Sequence, residues 1–268
     1  MQSLLLHIAD DESLEARTQV ALDLARAFGG HMTCLQAVPY EYGVPGDFYG
    51  SVVADLIPAL REAAEKLRAR CEQRLAPEDV GWSWIAEDGR ALEHVLRLSS
   101  LNDLVVVGSR EPLSKAPSLL ARDLVVRLKT PMLLVPEHVN GLNCAGTAVV
   151  AWNGSAEAAH ALKASVPLLA KARAVVLASV RGDPASGFDL PAVEGAEYLS
   201  RHGIACEIIE FPAEHGTVAQ VLADAAVRRE AAYLVMGAYG HSRLVETVLG
   251  GVTSELFAEP PLPIFTCH

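Results

Sequence analysis

The order of apolar runs, turn residues and amphipathic stretches in the first half of this chain recurs in the second half, and that duplication leaves few folds open. Ser3 to Ala9 is a short apolar run, broken by Asp10, Asp11, Glu12 and Ser13, which offer helix caps. Leu14 to Phe28 follows as an amphipathic stretch with Ala21, Leu24, Ala25 and Phe28 on one face. In the second half Thr147 to Trp152 is the apolar run, Asn153, Gly154 and Ser155 are the break, and Ala156 to Ala170 is the predicted helix.

The parallel continues. His31 to Val38 and Ala174 to Val180 are β-rich runs; Val52 to Arg74 and Ala192 to Arg201 are helical. Third strands are predicted at Trp82 to Ala86 and Cys206 to Phe211. Helices follow at Arg90 to Ser99 and Thr217 to Arg229, the latter opened by the capping pair Thr217 and Gln220. Fourth strands run from Asp103 to Gly108 and from Tyr233 to Gly237, and the last strands follow a proline, at Pro131 to Val135 and Pro263 to Cys267. Continuous Val/Leu/Ile runs alternating with helices are strands covered on both faces, hence a mainly parallel sheet. The fold class is therefore α/β, with two tandem five-stranded parallel-sheet domains at residues 1–138 and 145–268. A chain of 268 residues that is 51% hydrophobic can give each domain its own core. The linker, Glu137 to Gly146, turns at Asn140 and Gly141.

After the fourth strand of the second half comes Gly237-x2-Gly240-x9-Gly250-Gly251, leading into a helix at about Gly251. Open parallel sheets bind ligands beyond the C-terminal ends of their strands, which is where this segment falls. Glycines let backbone N–H groups approach phosphate oxygens, and the helix start at Gly251, Val252 and Thr253 adds free donors and the positive dipole end. Taken singly each glycine would only make a turn; the joint spacing between strand and helix favours a phosphate cradle. No Gly-Lys-Ser/Thr follows, and a dinucleotide fingerprint would follow the first strand instead.

Met236 to Thr253 resembles the ATP-binding segment of the universal stress protein family, G-x2-G-x9-G-(S/T), and the strand-helix order resembles that family, in its tandem form, over nearly the whole chain. The resemblance implies Rossmann-like, adenine nucleotide alpha-hydrolase-like domains with strand order 3-2-1-4-5, paired as an intramolecular pseudo-dimer through their last strands. It implies ATP or another adenine nucleotide in the second half, with Mg²⁺ as companion of the triphosphate. Gly237, Gly240 and Gly250 fall on the motif glycines, and Val252 and Thr253 on the helix start. Ala151 and Val180 match positions lining the adenine pocket, with ordinary strand core as the other reading; His241 and Arg243 are within reach of phosphate or are solvated loop. Two positions depart: Gly251 where Ser or Thr would add a hydroxyl, and Asn153 where Asp is usual. The first half keeps Gly108 but replaces the loop by Ser109 to Pro117, with Glu111 at the second glycine and Pro112 and Pro117 lacking N–H donors. Asp10 and Asp11 are expected to add negative charge there, so no nucleotide is expected in that half.

A formal charge of −11 argues against a phosphate-backbone binder, so nucleic acid is not an expected partner. Five scattered cysteines without a ligand spacing fit free thiols rather than zinc or disulfides, and no metal site of the protein's own is expected. With no signal peptide or membrane span, a cytoplasmic protein is expected. The loop from Pro39 to Tyr49 gathers aromatics as a lid or as anchors, and Trp82 and Trp84 share a strand face for core or interface packing. The sequence offers a cradle but no placed catalyst, so the expected function is nucleotide binding in stress response or signalling, with little or no hydrolysis. A nucleotide-free interaction module, a slow ATPase or phosphotransferase, and a further homodimer of chains stay open.

Overall fold

The computed structural model describes residues 1–38, 48–112 (backbone only for 48–56), 114–180, 190–212, 216–238 and 251–268. The first half runs β1 (Ser3–Ile8), α1 (Leu14–Phe28), β2 (His31–Val38), α2 (Phe48–Leu75), β3 (Gly81–Asp88), α3 (Ala91–Ser99), β4 (Leu104–Gly108), α4 (Leu119–Arg127) and β5 (Met132–Val135). The second runs β6 (Thr147–Ala151), α5 (Ala156–Leu169), β7 (Ala174–Val180), α6 (Ala192–Arg201), β8 (Cys206–Phe211), α7 (Val218–Arg228), β9 (Ala231–Gly237), α8 (Gly251–Ala258) and β10 (Ile264–Cys267).

The ten strands among the described residues form one sheet in the order β3-β2-β1-β4-β5-β10-β9-β6-β7-β8. Each half therefore has the order 3-2-1-4-5, and every neighbour is parallel except at the seam, where β5 and β10 pair antiparallel with Phe265 opposite Leu133. The strands that read as unbroken apolar runs are the ones covered on both faces. Leu4, Leu5, Leu6 and Leu104 to Val107 in the first half, and Ala148 to Val150 and Tyr233 to Val235 in the second, are almost wholly enclosed. The edge strands β3 and β8 are only partly buried. On β3, Trp82 and Trp84 lean on the core, and the Arg68 guanidinium lies 5.9 Å from the Trp84 ring centroid.

Local chemistry sets the element ends. Gly29, at φ 60°, closes α1 with its N–H on Ala25 and Arg26 carbonyls. Ser155 caps α5, and Thr217 and Gln220 form the predicted capping box on α7. The prolines before β5 and β10 lack a donor, but the Pro131 carbonyl accepts from Val105 N–H (3.0 Å) and that of Pro263 from Leu234 N–H (2.9 Å). Three predicted elements are longer than expected, among them β9, which begins at Ala231 rather than Tyr233. β3 extends to Asp88 because it pairs with β2 along its whole length, and α2 begins at Phe48 and continues through Pro58. No helix among the described residues is long and apolar enough to cross a membrane.

Candidate functional site

In the second half, the strand order reverses between the parallel neighbours β6 and β9: from β6 the chain moves outward to β7, and from β9 inward to β10. The C-terminal ends of β7, β6 and β9 thus share one edge, bringing together Val180, Ala151 and Asn153, and Met236 and Gly237. Val180 and Met236 are buried, and Ala151 and Asn153 are partly exposed. The Asn153 Oδ1 accepts the Ser155 N–H (3.2 Å), an Asx turn that aims the chain into α5, with Gly154 at φ 81° completing the turn. Trp152, between them, is buried and donates its Nε1–H to the Leu190 carbonyl (3.1 Å). Leu190 in turn donates its N–H to the Gly154 carbonyl (2.9 Å), so Trp152 fastens the start of α6 to this edge.

At the other end of the segment, α8 starts at Gly251, which is exposed, and a Cβ there would meet nothing within 4 Å. Val252 is partly exposed and Thr253 buried in the same turn. The first turn of α8 carries no acidic residue, so its dipole end is not neutralised by a nearby carboxylate of its own. Gly240, His241 and Gly250, with Arg243, lie outside the described residues, as does the aromatic stretch from Pro39 to Asp47.

Gly237 has a packing duty that the motif did not reveal. A Cβ on it would lie 2.4 Å from the Glu157 carbonyl carbon and 2.5 Å from the Ala158 nitrogen, so β9 ends flush against the first turn of α5. Gly108 repeats this in the first half, where a Cβ would fall 2.5 Å from Arg17 Nη1 and 2.8 Å from Ser13 Cβ. Both halves keep this glycine because strand and helix touch there.

The first-half edge is a cleft of about 570 Å³ lined by Asp10, Asp11, Glu12, Glu111, Ser114 and Lys115. Asp10 and Asp11, expected to add negative charge there, line this cleft, and each is paired with an arginine. Arg17, fully enclosed, pairs with Asp11 at 2.5 Å and donates to the carbonyls of His7 (2.7 Å) and Ala9 (2.6 Å). Asp10 pairs with Arg70. Glu111 accepts from the Leu119 N–H, so at the start of α4 the protein's own carboxylate holds the kind of place an anion would take. The signal for Arg17 was present: it lies four residues before Ala21 and seven before Leu24, on the apolar stripe of α1. Arg110 was also missed, because two of its partners, Glu137 and the Ala258 carbonyl, come from distant segments.

The thiols do not suit nucleophilic chemistry. Burial pushes Cys34 up to about 12 and Cys144 up to about 11, and all five cysteines are free. Among the described residues no group of three His, Cys, Asp or Glu could hold a metal ion.

Geometry defines a doubly wound α/β protein with a switch point in each half and two five-stranded units joined edge to edge. This is the fold of universal stress proteins. A universal stress protein from Archaeoglobus fulgidus DSM 4304 matches with a TM-score of 0.72 at 17% identity, covering 100% of this chain and 99% of that one. A functionally unknown protein from Pseudomonas aeruginosa PAO1 matches at 0.62 and 14% identity, covering 100% and 92%. At such identities the likeness is one of fold. No family model matches the chain, and no curated protein does.

Proposed function

We propose that this protein binds an adenine nucleotide, ATP with Mg²⁺ as its companion, in its second half, and takes part in a stress response or signalling from the cytoplasm. The units are residues 1–138 and 145–268. The adenine lies by Ala151, Asn153 and Val180, and the phosphates by Met236, Gly237, Gly240, His241, Gly250, Gly251, Val252 and Thr253. The observation that carries this reading is that β9 ends at Gly237, on the edge shared with β6 and β7, where the glycine spacing begins in sequence, and that the helix following that spacing, α8, starts free of acidic residues. The first half supports it by contrast, since Glu111 already serves the start of α4 there.

The residues favour holding over turnover. Phosphoryl transfer needs a placed base or water-orienting group beside the phosphates. His7, a buried histidine of the first half, is held neutral well into the acid range and lies on β1, far from the second-half edge in sheet order. Bound nucleotide would supply the negative charge, and the chain's backbone N–H groups would orient it. Denaturing the purified protein and identifying released nucleotide by mass spectrometry, followed by Mg-ATP titration, tests the proposal. Binding by the wild type and its loss in Gly240→Glu is expected; absence of binding at millimolar ATP in both would sink it.

A further inference from the structure

Arg110 follows directly on β4 and Ser109, in the loop that replaces the glycine segment in the first half. Its guanidinium is fixed from its own side. Glu137 accepts from Nε at 3.0 Å and pairs with Nη2 at 3.0 Å, and the same carboxylate accepts from the Ser109 hydroxyl at 3.2 Å. Burial alone would raise Glu137, but the hydrogen bonds from Arg110 and Ser109 outweigh it and hold that carboxyl below its ordinary range. Ser109 is itself tied down, its N–H on the Val135 carbonyl at 3.0 Å. The side chain of Arg110 is only 16% exposed. Its Nη1 crosses the seam and donates to the Ala258 carbonyl at 3.0 Å, in the last turn of α8.

That contact matters because of what α8 lacks. It is 8 residues long with no basic residue in its own last turn, so the cation at its C-terminal dipole end comes from the other half of the chain. Two turns of helix are marginal by themselves, and their order depends on what holds the ends. Among the described residues α8 has one more polar tether, Glu255, which accepts from the Thr217 hydroxyl at 2.8 Å, while Leu256 and Phe257 pack into the core. In so short a helix an opened last turn is not insulated from the first turn.

We propose that Arg110 is a positioning residue for the nucleotide site of the second half: from the first half it caps α8, the helix whose opening turn, Gly251 to Thr253, meets the phosphates. This rests on the reading under Proposed function. An anion at one end of α8 and Arg110 at the other stabilise the same ordered helix, so each strengthens the other. The first half, with its own loop filled by Glu111, thereby acts as the support of its neighbour's site.

The test uses the full chain as Arg110→Ala, Arg110→Lys and Glu137→Gln, with Arg90→Ala as a charge control remote from the seam. Amide exchange of α8 is measured without nucleotide, and Mg-ATP affinity by calorimetry. Arg110→Ala is expected to speed α8 exchange about fivefold to tenfold relative to β9 and to weaken Mg-ATP by a similar factor. Arg110→Lys and Glu137→Gln should fall between it and wild type, and Arg90→Ala should match wild type. Unchanged α8 exchange in Arg110→Ala, or looser α8 with unchanged affinity, overturns the positioning role while leaving nucleotide binding intact. A wild type that binds no Mg-ATP overturns the nucleotide reading, and this proposal with it, whatever α8 does.

Discussion

Arg17 and Asp11 form an ion pair at 2.5 Å whose side chains are 0% and 3% exposed, closing the C-terminal end of β1 in the half without a glycine loop. Both charges have left water, and what holds them there is mutual attraction with the carbonyls of His7 and Ala9 as further acceptors. Arg17→Ala strands Asp11 in a dry site and is expected to cost about 3–5 kcal/mol in urea unfolding. Adding Asp11→Asn should recover part of that loss. A cost below about 1 kcal/mol for Arg17→Ala would show the pair to be dispensable.

Gly237 separates structure from ligand. Its Cβ would meet backbone atoms of Glu157 and Ala158, which cannot swing aside as a side chain would. Gly237→Ala is therefore expected to destabilise the folded protein by about 1–3 kcal/mol with no nucleotide present, as overpacking does. An unchanged unfolding midpoint would mean that the glycine serves the ligand alone.

Gly251 has the opposite surroundings, with open space where a side chain would stand. Gly251→Ser should be accommodated without loss of stability and restore the hydroxyl that the resemblance leads one to expect. Mg-ATP affinity is expected to rise by about 1 kcal/mol, roughly fivefold. Calorimetric titration of the two proteins side by side decides it, and equal affinities would remove Gly251 from the phosphate contacts.

His7 makes the first half acid-sensitive. Burial, then the neighbouring Arg17 charge, lowers its pKa from 6.5 to about 3. Between those values the unfolded chain binds a proton that the folded chain refuses, so stability falls as pH drops from about 6.5 towards 3, by at most about 1.4 kcal/mol per unit. Above that window His7 contributes nothing to the slope. Denaturant midpoints of wild type and His7→Leu at about pH 4.5 and about pH 7.5 test this: the gap between the two pH values should shrink in the variant.

Element order was legible in the sequence because it follows from local patterning, repeated twice, whereas the strand order 3-2-1-4-5 and the seam were expected from the family resemblance alone. The runs at Leu4 to Leu6 and at Val105 to Val107 are apolar on both faces, and burial on both faces is what they find. Arg17 was legible in principle, as a charge on an apolar stripe. Arg110 was not: its cross-seam acceptor is a backbone carbonyl 148 residues away, and a carbonyl leaves no mark of its own in a sequence. Nor was the tight contact behind Gly237, since spacing alone does not distinguish a glycine kept for a phosphate from one kept for a helix.

The seam between β5 and β10 has a consequence for a nicked chain. Two separate five-stranded sheets would present four open edges, whereas the joined sheet presents only β3 and β8. The link at residues 136–146 is therefore not what keeps the halves together. The ladder from Met132 to Leu134 remains, as do Arg110 on Ala258 and His138 on the Pro261 carbonyl. Cut there by a protease, the two pieces should travel as one particle. Either piece made alone would carry a bare strand lined by wholly enclosed leucine or phenylalanine, and would seek a second copy of itself to cover it.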